Sequence, residues 1–297
     1  MVRKALLAAL VAVCLVIPAM AQSVGDYLDV YIVTVKPDKQ ADFDVLARKI
    51  ADANRKYSGD RWIAMESVYG ENNVFVFVST RATYADIDAS MGSFMGAMTK
   101  AYGKDAAHKM LTDWNNYIVG GRSEFRKRRW DLSRKAPMDP ADYAKMIGES
   151  RVLRTTAVHV KPGKIAEFEA EMKEVKDAAE KAENTHTVLV SQVLEGGKGT
   201  TFYFSSLRPG MGGFDNNPAG RDILGEEGYK KFLQTSSETV EGTESMLLRY
   251  SAELSSPPEP VVAAAPDFWN PKPVMAAKAA KPKPKSTMEP AAQKQKQ

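Results

Sequence analysis

Val33-Thr34-Val35-Lys36-Pro37-Asp38-Lys39, followed by Phe43, returns later in the chain as Val158-His159-Val160-Lys161-Pro162-Gly163-Lys164, followed by Phe168. In each copy a β-branched strand runs into a proline, which fixes φ and removes a backbone donor and so ends the strand. The interval from Pro to Phe is the same in both copies, so the aromatic falls at the same point of the helix that opens after the turn. Other landmarks repeat in the same order. Phe75 and Phe77 match Phe202 and Phe204, and Trp130-Asp131-Leu132-Ser133 matches Ala252-Glu253-Leu254-Ser255. An ordered series of matches marks a duplicated unit.

Each copy predicts the element order β-α-β-β-α-β. In the first, the spacing predicts a strand over 28–35 and a helix with Phe43, Leu46, Ala47, Ile50, Asn54 and Tyr57 on one side, close to an i, i+3, i+4, i+7 stripe. Strands follow over 62–69 and 74–79, joined by Gly70-Glu71-Asn72-Asn73, which has hairpin chemistry. A mostly helical stretch over 83–117 and a strand over 122–132 complete the unit. The second copy predicts strands over 153–160, 187–194, 201–206 and 245–254, with Gly196-Gly197-Lys198-Gly199 at the central turn and a glycine-rich loop over 209–220. The fold class is α+β, two ferredoxin-like units of 22–133 and 151–255. Their strands are apolar at both alternations, so the two sheets are expected to face each other within one chain and hide their open faces.

Outside the units the composition changes. Residues 1–21 read as a cleaved secretory signal: Arg3 and Lys4, the apolar run Ala5 to Ile17, Pro18, then Ala19-Met20-Ala21. The mature chain would begin at Gln22 and be periplasmic or secreted. The one cysteine is Cys14, so the mature chain has no disulfide, thiolate metal site or cysteine nucleophile. Residues 134–150 form a connector with one short helix through Ile147. Nine of the 16 prolines lie beyond residue 256, and 256–297 read as a disordered Pro/Ala/Lys-rich tail. With Arg3, Lys4 and the seven tail lysines set aside, the body carries 32 basic and 34 acidic side chains. That balance argues against a nucleic-acid binder. The lysine-containing tail allows a weak contact with an anionic envelope surface.

A β-α-β-β-α-β unit opening on Val-x-Val-Lys-Pro-Gly-Lys with a Phe a few residues on resembles the dimeric α+β barrel superfamily, which includes antibiotic-biosynthesis-monooxygenase-like and NIPSNAP-like families. The resemblance covers roughly 26–255 and rests on a structural motif. It implies a barrel made of two face-to-face sheets with helices outside, here both in one chain. The superfamily includes cofactor-free oxygenases, haem-dependent enzymes and proteins of unknown function, so the resemblance implies no particular activity.

Candidate chemistry is sparse. His108, within Asp105-Ala106-Ala107-His108-Lys109, reads first as a surface helical histidine and second as a haem ligand. His159 sits in the repeated strand and reads first as a hydrogen-bonded strand histidine, second as a general base in the lumen. No two histidines have metal-ligand spacing, and no metal site is expected. The run Arg126-Lys127-Arg128-Arg129 puts cations on both faces of a strand. One reading is an anion site with Arg126 and Arg128 facing the lumen beside Glu124. The favoured reading pairs them with carboxylates such as Glu66, while Lys127 and Arg129 snorkel at an exposed end. The second unit has Leu248 and Tyr250 in those places. The sequence therefore points to an exported protein that binds a small apolar or anionic ligand or acts at the envelope. The alternative is an oxygenase-like enzyme, cofactor-free or haem-dependent, using the lumen. No cofactor is called for by the residues themselves.

Overall fold

A computed structural model describes residues 25–183 and 185–270. The first unit is β1 (Tyr27–Val35), α1 (Gln40–Lys56), β2 (Trp62–Tyr69), β3 (Val74–Arg81), α2 (Ala85–Tyr102), α3 (Lys104–Tyr117) and β4 (Ile118–Arg128). A connector helix α4 (Pro140–Glu149) follows, started by the Asp139 carboxylate, which accepts from the backbone N–H groups of Ala141 and Asp142. The second unit is β5 (Val152–Val160), α5 (Ile165–Lys181), β6 (Leu189–Glu195), β7 (Thr200–Arg208), α6 (Gly220–Thr239) and β8 (Val240–Ser256). Two short helices, α7 (Glu259–Ala264) and α8 (Pro266–Trp269), end the described chain.

The repeated motif has a physical reason. The Lys36 backbone N–H donates to Tyr117 O at 2.9 Å and its Nζ to Asn116 O at 2.8 Å. Lys161 does the same, to Thr239 O at 2.8 Å and Ser237 O at 2.8 Å. Each motif lysine thus satisfies carbonyls orphaned at the end of its unit's last helix. Both units also break that helix at one glycine, Gly103 (φ 81°, ψ 159°) and Gly225 (φ 69°, ψ 172°), a conformation only glycine adopts without strain.

All eight strands join one closed antiparallel barrel in the order β1-β3-β2-β8-β5-β7-β6-β4. Closure leaves no sheet edge. Two seams join strands of different units, β2 with β8 and β4 with β6. Each is tied in the same way. Ser255 Oγ accepts from the Ala64 N–H at 2.8 Å and donates to Ser251 O at 2.6 Å; Ser133 Oγ accepts from the Val190 N–H at 2.8 Å and donates to Arg129 O at 2.9 Å. Each neighbouring leucine crosses the seam: Leu254 is buried in the first unit's helix-covered core, Leu132 in the second's.

Outside the barrel the two helix layers differ. In the first, Phe43, Phe75, Met98 and Trp114 fill the space under α1, α2 and α3. In the second, a loop with a single short turn replaces most of α2, and a cavity of about 500 Å³ remains beside Phe168, Phe204 and Phe232.

Two expectations are corrected. The final strand of the first unit runs 118–128 rather than 122–132: Gly120 and Gly121 stay in the ladder, and the chain turns after Arg128. Residues 257–270 do not belong to a disordered tail. Val261 and Trp269 are buried, and Trp269 Nε1 donates to Gly148 O at 2.9 Å, so α7 and α8 close one end of the barrel with α4. The signal reading of 1–21 and the remainder of the tail lie outside the described residues.

Candidate functional site

Successive strand residues point to opposite faces, and this parity decides what lines the barrel. Leu28, Val30 and Ile32 of β1 and Met246, Leu248 and Tyr250 of β8 face inward around a cavity of about 490 Å³. Tyr143, Ala144 and Ile147 of α4 and Val261 of α7 cover its end. Trp269 backs Tyr250 with ring centroids 6.1 Å apart. Burial, and then Tyr143 close by, pushes the Tyr250 phenol well above its ordinary range.

The same parity turns four charged residues of β4 inward: Arg122, Glu124, Arg126 and Arg128. Glu124 is the hub. Arg126 Nη2 lies 2.6 Å from Glu124 Oε2, Arg122 Nε 2.9 Å from Oε1, and Tyr203 Oη donates to Oε1 at 3.2 Å. Burial alone would raise the Glu124 carboxyl, but the adjacent guanidinium groups, Arg126 foremost, hold it below the ordinary range. The Arg126 guanidinium also sits 3.4 Å over the Tyr203 ring.

Arg128 is placed differently. It is 5% exposed, its Nε donates to Gly25 O at 2.9 Å, and its Nη2 is buried without a hydrogen-bond partner among the described residues. The guanidinium lies 4.8 Å from the Tyr143 ring and 5.3 Å from the Trp130 ring. It borders the cavity.

Arg126 and Arg128 both face the lumen beside Glu124; Arg126 pairs with a carboxylate, as the favoured reading has it, but with Glu124 and not Glu66, and Arg128 pairs with neither. Glu66 faces outward beneath α1, accepting from Gln40 Nε2 at 3.2 Å; burial and then Asp44 raise its carboxyl above the ordinary range. Lys127 is exposed, but Arg129 is held by Asp131, Glu169 and Gln192 rather than snorkelling. His159 lies towards the far end of β5, 2.9 Å from Thr201 Oγ1, and is not among the residues around the cavity. His108 is exposed on α3. No histidine lines the cavity, so the residues present do not fit a histidine-ligated haem there. Among the described residues no three His, Cys, Asp or Glu side chains gather as a metal ion needs. Tyr143 and Tyr203, both at the cavity, were not singled out from the sequence. Tyr203 sits between Phe202 and Phe204, and only the inward parity of the middle aromatic could have marked it.

No family model matches the chain, and no curated protein matches it in sequence. Among solved structures, an anthrone oxidase-like protein is similar with a TM-score of 0.51 at 14% identity, over 77% of this chain and 93% of that one. A mutant chlorite dismutase from Candidatus Nitrospira defluvii is similar with a TM-score of 0.44 at 10% identity, over 81% of this chain and 96% of that one. The likeness to the anthrone oxidase-like protein is one of fold alone, an α+β barrel, and leaves the activity to be argued from the site.

Proposed function

We propose that the chain is an exported small-ligand-binding protein that takes its ligand into the barrel lumen. The observation that carries this reading is the lumen itself. Eight strands of mainly apolar inward side chains could have met in a packed core, yet they surround about 490 Å³, within the roughly 300–1,000 Å³ usual for small-molecule sites. We read the two units as an intramolecular pseudo-dimer, supported by the matched serine ties and exchanged leucines at the two seams. Export rests on the leader-like residues 1–21, and envelope contact on the lysine-bearing stretch beyond Asn270.

The test is a cavity-filling change. Val78→Trp, on the cavity wall, should abolish thermal stabilisation by apolar ligands from a small-molecule panel while far-ultraviolet circular dichroism stays unchanged. Undiminished stabilisation would move binding out of the lumen. N-terminal sequencing of the secreted or periplasmic product should begin at Gln22.

The second reading, an oxygenase-like enzyme, is favoured by the same open apolar lumen and by the fold likeness to an anthrone oxidase-like protein. Of the catalytic candidates only Arg126 and Arg128 border the cavity, and the nearby Glu124 is occupied by its ion pairs. Oxygen uptake with anthrone, and a Soret band in the purified protein, would each speak for catalysis. Neither is expected.

A further inference from the structure

We propose that the lumen ligand is a small aromatic or apolar monoanion, a carboxylate, phenolate or sulfonate, seated with its charge on Arg128. This rests on the lumen reading and narrows it to a chemical class.

The inference comes from matching each charged group around the cavity with its partner. Arg126 has Glu124. Arg81 has Asp60 through two bonds of 2.8 Å and Asp29 at 3.1 Å. Asp86 accepts from the backbone N–H groups of Ala82 and Thr83, and Arg61 reaches Ser256 Oγ at 3.4 Å. Among the described residues Arg128 alone in this set has no carboxylate or hydroxyl partner; one carbonyl, Gly25 O, takes one of its five N–H bonds. A guanidinium cannot escape by losing its proton at neutral pH. A buried cation left uncompensated is costly, and an unsatisfied buried donor beside a cavity calls for an explanation in terms of what enters that cavity. A carboxylate or sulfonate presents the acceptors that a guanidinium fork matches.

The surroundings limit the rest of the ligand. Tyr143 and Trp130 flank the guanidinium, and beyond them Leu28, Val30, Leu248 and Tyr250 offer apolar wall. Of the other inward cations on β4, Arg126 is paired with Glu124, and Arg122, which shares that carboxylate, is half exposed and not among the residues around the cavity. Arg128 is then the one buried cation around the cavity that meets no carboxylate among the described residues, Arg61 being partly exposed and held by the Ser256 hydroxyl, and a single buried charge suits a monoanion.

Two fluorescent probes with closely similar ring systems separate charge from shape: anilinonaphthalenesulfonate, an anion, and phenylnaphthylamine, which is neutral. The wild-type chain should bind the anion at least about tenfold tighter, the worth of one charge-assisted contact. Arg128→Met should bring the two affinities within about twofold while leaving the neutral probe's affinity unchanged, and Arg128→Lys should restore part of the preference. A merely structural Arg128 would change both affinities together or neither. If Arg128→Met leaves the anion's preference intact, the anion subsite is refuted while the lumen reading stands. If Val78→Trp leaves both probes bound as in the wild type, the lumen reading fails first. A variant that does not fold is replaced by Arg128→Gln, and the ratio of the two affinities remains the deciding quantity.

Discussion

At the β2–β8 seam the inward places next to the ladder are held by Leu248 and Tyr250; at the β4–β6 seam the matching places are Arg126 and Arg128. Otherwise the seams share their parts. Each is tied by a serine that bonds an amide across it, and each is bordered by a glycine of positive φ, Gly70 (114°) or Gly196 (81°). They differ in length as well: Trp62 to Tyr69 takes part in the first ladder, but only Phe125 to Arg128 in the second. The barrel is closed twice by one device, and the inward side chains of the two final strands differ. The apolar seam contributes wall to the cavity; the charged seam contributes its polar end.

The largest effect expected from breaking this comparison is at the glycines. A Cβ on Gly196 would stand 2.0 Å from Ser123 O, whereas on Gly70 the nearest atom is the flexible Met246 Cγ at 3.0 Å and Ser245 O is 3.4 Å away. Gly196→Val should therefore cost about 4 kcal/mol or more, because a clash with backbone adds to left-handed strain. Gly70→Val should cost about 1–3 kcal/mol, from strain alone. Urea unfolding at matched conditions measures both, and equal losses would remove the distinction between a tight and a loose seam.

Next in size is the contrast of the outer layers. Phe43 is fully buried against Phe75 and Trp114, while Phe168 borders the second cavity. Phe43→Ala should cost about 3–5 kcal/mol. Phe168→Ala should cost about half as much, since one side of its ring already lacks neighbours. A smaller and symmetrical pair of losses is expected at the ties. Ser133→Ala and Ser255→Ala each leave one buried amide unsatisfied, at about 1–3 kcal/mol, and should agree within a factor of two. A large loss at only one would mean that the ties are not equivalent.

The duplication, the order of elements along the chain and the turn residues were legible because proline, glycine and β-branched runs act locally. The pairing across seams was legible only as a need to hide apolar faces. Which strand met which depended on long-range closure, and the start of β4 was misplaced because Gly120-Gly121 reads as a break in isolation but packs flush against β1, where a Cβ on Gly121 would lie 3.0 Å from Val33 Cγ1. The tail misled for a related reason. Pro257, Pro258, Pro260 and Pro266 suggest disorder, yet each of the two short helices carries proline in its first turn, where proline is tolerated. In the site, Arg126 and Arg128 could be named from parity, but their division of labour could not. Both are inward cations on one strand, and only the positions of Glu124 and Gly25 give one a carboxylate and leave the other, among the described residues, a single carbonyl.

The smallest effect is a difference in pH dependence between glutamates on the two seams. Glu124 is held below the ordinary glutamate value of 4.5 mainly by Arg126 acting against burial. With a folded pKa below the unfolded one, it stabilises the fold at neutral pH, and that contribution is lost as pH falls from about 4.5 through the folded value. Glu66, on the outer face of β2, is raised by burial and by Asp44. Its folded state holds the proton more tightly than the unfolded chain does, so its contribution is full below 4.5 and is lost as pH rises through the folded value. Replacing the inner pair together, Glu124→Gln with Arg126→Met, avoids stranding a buried charge and should change neutral stability little. That variant should lose less stability than the wild type between pH 7 and about pH 3. Glu66→Gln should do the opposite relative to the wild type, gaining most at neutral pH and least in acid. Urea midpoints across this range read both slopes. Parallel slopes in the two variants would show that the charged seam owes nothing of its acid response to the Glu124–Arg126 pair.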